Sequence, residues 1–169
     1  MILTKNEILK EIKCGKIKIT PFDKKTVGPA SIDLSLGSFI RVFKENDKKV
    51  LVSENLDYKK LTYLVGIKKG YILKPKELVL GITKEKITLP ENICGWLSSR
   101  SRFARMGLTS HITAPFIAPG VSNKQVLEIY NAGPNNLVIS SGVKICQLVL
   151  QKCIGSAKYN GKFKNQELR

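Results

Sequence analysis

A single mainly-β domain, of sandwich, jelly-roll or barrel type, is the fold class that the sequence predicts. Roughly ten short apolar stretches, each of strand length, follow one another along the chain. The 13 glycines and 7 prolines fall largely between them. Several of the stretches alternate apolar and polar residues with the period of two that a half-buried strand requires. A parallel α/β sheet would need helical stretches between its strands, and the sequence does not supply them. The 169 residues make one domain, at roughly 100–200 residues per domain.

The elements follow in order. Thr4-Lys5-Asn6-Glu7 has the form of a capping box, and Ile8, Leu9 and Ile12 continue it as a helical apolar stripe. Gly15 can end that helix, so residues 4–14 are expected to be helical. Ile17, Ile19 and Phe22 make a short extended piece near Pro21. In Ser31-Ile32-Asp33-Leu34-Ser35-Leu36 the three aliphatic residues point one way and the polar residues the other. Phe39 to Phe43 is the next strand. Residues 44–60 are charged and read as a loop with a weak strand at Val50-Leu51-Val52. Further strands are expected at Tyr71 to Leu73, Leu78 to Ile82, Ile87 to Pro90, Ile93 to Leu97 and Thr109 to Thr113. The last three are Gln125 to Asn131, Leu137 to Ser140 and Ile145 to Gln151. Within 98–107, serine caps, good helix formers and Gly107 predict one short internal helix. Residues 158–169 are polar, without a core signal, and are expected to order only by docking on something. The domain is therefore 1–157, followed by a C-terminal tail, 158–169.

Composition removes several classes of function. No apolar run approaches ~18 residues, so no membrane-spanning helix is expected. The charged start is not a secretory leader. Cys14, Cys94, Cys146 and Cys153 form no C-x-x-C pair and read as reduced thiols of a cytoplasmic protein. With one histidine, His111, no H-x-E and no clustered cysteines, a zinc site is not expected. The 29 lysines and arginines against 13 acidic residues give a net charge of +16. Such an excess attracts a polyanion, nucleic acid or a phosphorylated small molecule; a scattered, lysine-rich surface satisfies it equally well.

Three constellations could carry chemistry. Ser101 and Arg105 are four apart on the short helix and share a face flanked by Arg100 and Arg102. Arginine clamps phosphate oxygens in bidentate fashion, and a solvated surface helix is the other reading. In Lys124-Gln125-Val126-Leu127-Glu128-Ile129-Tyr130-Asn131, Glu128 shares a face with Val126 and Tyr130. If Leu127 and Ile129 face the core, Glu128 is an outward carboxylate. If the Val126 and Tyr130 face lines a pocket, Glu128 is a desolvated acid–base group with a raised pKa. From His111 to Gly120, two prolines and a glycine describe a rigid turn in which Ala114 leaves room for a flat ligand.

These segments, in this order, resemble the dCTP deaminase family. Arg100 to Leu108 is similar to its R-S-S-x-A-R-x-G-L, and His111-Ile112-Thr113-Ala114 to its H-x-T-A. Pro119-Gly120 and Leu127-Glu128-Ile129-Tyr130-Asn131 resemble D-P-G-[WF] and L-E-[FI]-x-N. Pro29-Ala30-Ser31-Ile32-Asp33-Leu34-Ser35-Leu36-Gly37 resembles P-A-S-x-D-L-x-L-G, and Tyr159 to Gln166 resembles the closing Y-x-x-K-[YF]-x-x-Q. The resemblance covers residues 1 to 166.

What it implies is a homotrimer of dUTPase-like distorted jelly-roll β barrels, with active sites between subunits. The implied reaction is zinc-independent deamination of dCTP to dUTP and ammonia, with Mg²⁺ carried on the triphosphate and no metal ligand from the protein. Glu128 would be the acid–base group, and Thr113 and Ala114 would hold the water and the cytosine edge. Arg100, Ser101, Arg102 and Arg105 would contact phosphates from the adjacent subunit. Tyr159, Lys162 and Gln166 would close the tail over the nucleotide. The implied partners are dCTP, dUTP and further copies of the chain, not nucleic acid or a membrane.

The chain departs from the pattern in places. Arg102 stands for the second serine of R-S-S, Val121 for the aromatic residue after P-G, and Asn123 for a glycine. Ala118 stands where the family has an aspartate, which in dUTPases and bifunctional deaminases orients the hydrolytic water. That argues against dUTP hydrolysis. A dUTP pyrophosphatase, a bifunctional enzyme and a non-catalytic nucleotide-binding relative remain the alternatives.

Overall fold

Alternating burial sorts the strands into antiparallel sheets around one core in the computed structural model, which describes residues 1–45 and 49–168. Helix α1 spans Lys5–Lys13 and the short α2 spans Ser101–Ala104. The strands are β1 Lys18–Thr20, β2 Ile32–Ser35, β3 Phe39–Phe43, β4 Thr62–Gly66, β5 Tyr71–Leu73 and β6 Leu78–Thr88. They continue as β7 Ile93–Ser99, β8 Leu108–Thr109, β9 Phe116–Ile117, β10 Ser122–Asn131, β11 Leu137–Ile139 and β12 Lys144–Lys152.

One sheet runs β4-β3-β6-β10-β8, with β1 added on β6; a second runs β2-β12-β7-β9, and β11 pairs with β5. Among the described residues these are open paths, and none closes into a barrel. The mainly-β class stands, with the two expected helices. Ile32, Leu34 and Leu36 are fully buried, as their alternation predicts, and meet Ile40, Val79, Leu127, Ile129 and Leu148 in the core.

Several elements differ from expectation. Thr4 precedes α1 without a side-chain cap, while the Lys5 N–H is held by the Pro29 carbonyl at 2.7 Å. The capping box is therefore replaced by a tertiary bond. Leu78 to Ile82 and Ile87 to Pro90 belong largely to one strand, β6, rather than two. The polar residues between them are built into the ladder. The Glu85 carboxylate accepts the Ser35 N–H at 2.9 Å, and Thr83 Oγ1 accepts the Gln125 N–H at 2.9 Å where the β6–β10 register shifts.

The strand expected from Thr109 to Thr113 stops at Thr109. Strands β4 and β9 lie where none was expected. Val50, Leu51 and Val52 are exposed and form no strand, and residues 46–48 of that loop lie outside the described residues. No helix among the described residues is long and apolar enough to cross a membrane.

Candidate functional site

Strand β10 positions Glu128. Its partners on β6 fix the register, Glu128 opposite Leu80 and Tyr130 opposite Leu78. Leu127 and Ile129 are fully buried, so the opposite face, with Val126, Glu128 and Tyr130, points away from the core. That face is half-buried rather than free, because the 111–113 loop folds over it.

The loop is fastened by the carboxylate itself. Glu128 Oε2 accepts the Thr113 N–H at 2.6 Å and the Ile112 N–H at 3.1 Å. The Thr113 hydroxyl donates to Oε1 at 2.8 Å, with Oε2 at 3.0 Å. The Glu128 N–H points at His111 Nδ1, 3.4 Å away. These bonds hold the 111–113 loop, while β8 itself leaves the ladder at Ser110, whose N–H donates to Ser99 Oγ at 3.0 Å.

Burial pushes the Glu128 carboxyl up. The Thr113 N–H and hydroxyl, the neighbouring His111 and the Ile112 N–H outweigh it and hold the group below the ordinary carboxylate range. The raised pKa expected for a pocket carboxylate is thus corrected. The face is partly covered, as that expectation required, but its cover consists of donors rather than apolar groups. The arrangement presents an ionised, oriented acceptor, and its lowered pKa makes it a weaker base than a carboxylate poised near neutrality.

The arginines separate into two groups. Arg100 ties α2 to the second sheet: Nη2 pairs with Asp33 at 3.0 Å, Nη1 donates to the Lys144 carbonyl at 2.8 Å, and the guanidinium lies over the Phe103 ring at 5.9 Å. Ser101, Arg102 and Arg105 are exposed on the helix and its C-terminal turn. Gly107 takes the positive φ of +82 that ends this turn. Within one subunit no hydrogen bond or ion pair among the described residues joins Ser101, Arg102 or Arg105 to Glu128. Ala114 is exposed beside Thr113.

The tail is docked on its own subunit. Tyr159 packs against the core, its N–H donates to the Pro119 carbonyl at 3.1 Å, and its hydroxyl accepts the Phe163 N–H at 3.3 Å. Gly161 lets the tail turn over that ring, where a Cβ would collide with Tyr159. Lys162 Nζ donates to the Glu54 carbonyl at 2.9 Å. Gln166 lines a cavity of about 620 Å³ between the tail, the start of β3, β6 and β10. Lys86 and Lys124, directly paired across the strands, line it too.

Two buried polar features lie outside the expected site residues. Asn123 and Gln125 are buried polar residues, and Asn123 Nδ2 holds the Phe163 carbonyl at 2.8 Å. His111 Nε2 is buried without a partner among the described residues. The polar interruption of an otherwise alternating strand is the signal that could have pointed to Asn123 and Gln125. Among the described residues, no three His, Cys, Asp or Glu side chains are grouped so as to hold a metal ion.

The family model for dCTP deaminase-like domains matches residues 2–153. A protein of Corynebacterium glutamicum (strain R) named "dCTP deaminase, dUMP-forming" is 35% identical over 175 residues, covering 98% of this chain and 92% of its own. The "dCTP deaminase" of Pseudoalteromonas atlantica is 38% identical over 183 residues, covering 99% and 92%. The crystal structure of 2'-deoxycytidine 5'-triphosphate deaminase from Agrobacterium tumefaciens superposes with a TM-score of 0.67 at 22% identity. It covers 88% of this chain, which spans 47% of that longer chain. A dUTPase of Staphylococcus bacteriophage 80alpha has a TM-score of 0.51 at 15% identity over 86% of this chain and 96% of its own.

Proposed function

The chain belongs to the dCTP deaminase-like family, and from that premise we propose that it hydrolyses dCTP to dUTP and ammonia. The observation that carries the reading is the Glu128 carboxylate, ionised and fixed by the Thr113 and Ile112 amides beside Ala114. Water attacks C4 of cytosine while Glu128 takes its proton. The carboxylic acid so formed delivers that proton to N3, and a second proton, taken from the tetrahedral hydroxyl, goes to the leaving amine. The C4–N bond breaks, ammonia leaves and Glu128 is ionised again. Thr113 holds the carboxylate in place, and the backbone at Ala114 lines the cytosine edge.

The triphosphate lies against Ser101, Arg102 and Arg105 of an adjacent subunit in a homotrimer, and the exposure of those side chains supports this reading. Arg100 shapes the base of that helix through Asp33. Tyr159, Lys162 and Gln166 cover the nucleotide. Hydroxyl and guanidinium groups suit phosphate oxygens rather than a metal, so Mg²⁺ enters on the triphosphate and neutralises its charge. No zinc takes part, and deamination survives a zinc-selective chelator with Mg²⁺ in excess.

A second reading has a specific observation behind it. Several relatives, including the Corynebacterium glutamicum protein, are named dUMP-forming. Ala118, packed against the core, offers no carboxylate to orient a second water. The proposed product is therefore dUTP. Incubation with dCTP and, separately, with dUTP, read by nucleotide chromatography, decides the matter. Ammonia with dUTP supports the proposal, dUMP with pyrophosphate supports the bifunctional reading, and no turnover leaves a nucleotide-binding relative.

A further inference from the structure

We propose that Arg41 is a positioning residue that anchors the far end of the C-terminal tail and thereby holds Gln166 in the wall of the cavity. The inference rests on the reading above that the tail covers the nucleotide.

Arg41 sits in the middle of β3, between Ile40 and Val42, whose buried side chains take the core side. Alternation puts Arg41 on the other side, with Phe39 and Phe43, where a charged residue belongs in water. It is nevertheless only 9% exposed. The cover is the tail, with Leu168 at 3% exposure, and the turn that leads into β4.

The guanidinium has no carboxylate partner among the described residues. Its donors point at neutral oxygens instead. Nε donates to the Leu168 carbonyl at 2.6 Å, and Nη1 to Thr62 Oγ1 at 3.0 Å, with the Thr62 and Lys59 carbonyls at 3.4 and 3.5 Å. The Tyr58 ring lies 6.0 Å from the guanidinium carbon, and its hydroxyl donates to the Glu167 carbonyl at 3.4 Å.

A desolvated cation is tolerated only when its donors are satisfied. Here the shortest of its bonds is to the tail. A charge-assisted bond to a carbonyl, joined to the burial of Leu168, fastens the segment at its end. Tyr159 fastens it at its start through Pro119. Gln166 lies between these two points, two residues from the Arg41 contact. Thr62, itself 2% exposed, steadies the guanidinium.

The test uses the full-length protein. Arg41→Lys keeps the charge and removes Nε and the planar fork. Leu168→Gly loosens the same contact from the tail side and leaves β3 untouched. Each should speed tryptic cleavage at Lys162 and Lys164 by about tenfold, the scale of one charge-assisted bond. The double variant should be no faster than either single one. With dCTP, each should raise KM several-fold while kcat stays within about twofold of wild type.

Unchanged cleavage and KM in Arg41→Lys would overturn the proposal, as would full additivity with Leu168→Gly. A lowered unfolding midpoint with normal tail protection would reduce Arg41 to a structural role and overturn it equally. If Arg41→Lys does not fold, the Arg41 Nε–H signal in Leu168→Gly decides: faster exchange supports the anchor, and no change refutes it. If wild type does not deaminate dCTP, the functional reading fails while the cleavage measurement still judges the anchor.

Discussion

Glu128 and Thr113 are joined three times, by the Thr113 N–H on Oε2 at 2.6 Å and by its hydroxyl on Oε1 at 2.8 Å and Oε2 at 3.0 Å. One residue thus orients the carboxylate and lowers its affinity for protons.

Glu128→Gln should abolish deamination while the protein stays folded and binds dCTP. Glutamine is nearly isosteric and its single carbonyl oxygen can still accept the Thr113 N–H, but it cannot take a proton from water. General acid–base catalysis contributes roughly 10²–10⁴-fold, and one group serving several transfers places the loss at or beyond the top of that range. Ammonia release at saturating dCTP, with binding followed by calorimetry, measures it. Retention of about a tenth of the turnover would put the essential base elsewhere.

Thr113→Val should move the acid limb of the pH–rate profile upward. The base form of Glu128 is present above its pKa, so kcat/KM falls as pH drops through that value. In wild type the limb should lie below the ordinary carboxylate range, because the Thr113 bonds favour the ionised form of Glu128. Removing the hydroxyl weakens that preference. The same sign governs stability: the contribution of Glu128 is present above the unfolded carboxylate range and fades as pH falls through its depressed folded value. An unmoved limb would show that another group controls the profile.

Arg105→Ala and Arg100→Ala should differ in kind. Arg105 is exposed, and its loss should weaken dCTP binding by about 1.5–3 kcal/mol with the unfolding midpoint unchanged. Arg100 is paired with Asp33 and bonded to the Lys144 carbonyl, so its loss should lower the unfolding midpoint. Calorimetric binding and thermal unfolding of both variants separate the two roles. Equal dCTP affinity in Arg105→Ala and wild type would return that side chain to the solvated surface.

In solution the protein should have three times the mass of its 18.8 kDa chain. Among the described residues no hydrogen bond or ion pair joins Ser101, Arg102 or Arg105 to Glu128 within one subunit, and the proposed shared site takes a neighbour to complete it. Light scattering at micromolar concentration gives the mass, and a monomer would contradict the shared site.

Gly107→Ala should destabilise the fold by at least about 1–3 kcal/mol, the cost of forcing a side chain into an unfavourable backbone region. The residue has φ +82, and a Cβ there would come within 2.6 Å of the Gly133 backbone nitrogen. Denaturant unfolding of the variant measures the cost, and an unchanged midpoint would show that the turn relaxes freely.

The sequence by itself determined the mainly-β class, the first helix, most of the strands and the sharing of one face of β10 by Val126, Glu128 and Tyr130, opposite Leu127 and Ile129. These follow from local periodicity. Ile32, Leu34 and Leu36 alternate, as do Leu127 and Ile129, and any fold that buries them must turn Glu128 the other way. Motif order also sufficed to recognise the family. The tertiary structure alone decided what meets the outward face. Thr113, fifteen residues from Glu128 in the chain, fastens its loop by facing a carboxylate, and the polar residues Thr83 and Glu85 continue a strand by bonding Gln125 and Ser35. Arg41 and Leu168 are 127 positions apart, and neither carries a local signal of the other. Periodicity reports which side of an element is buried; the identity of the donor or acceptor across the gap depends on how distant segments fold back, which pattern along the chain does not encode.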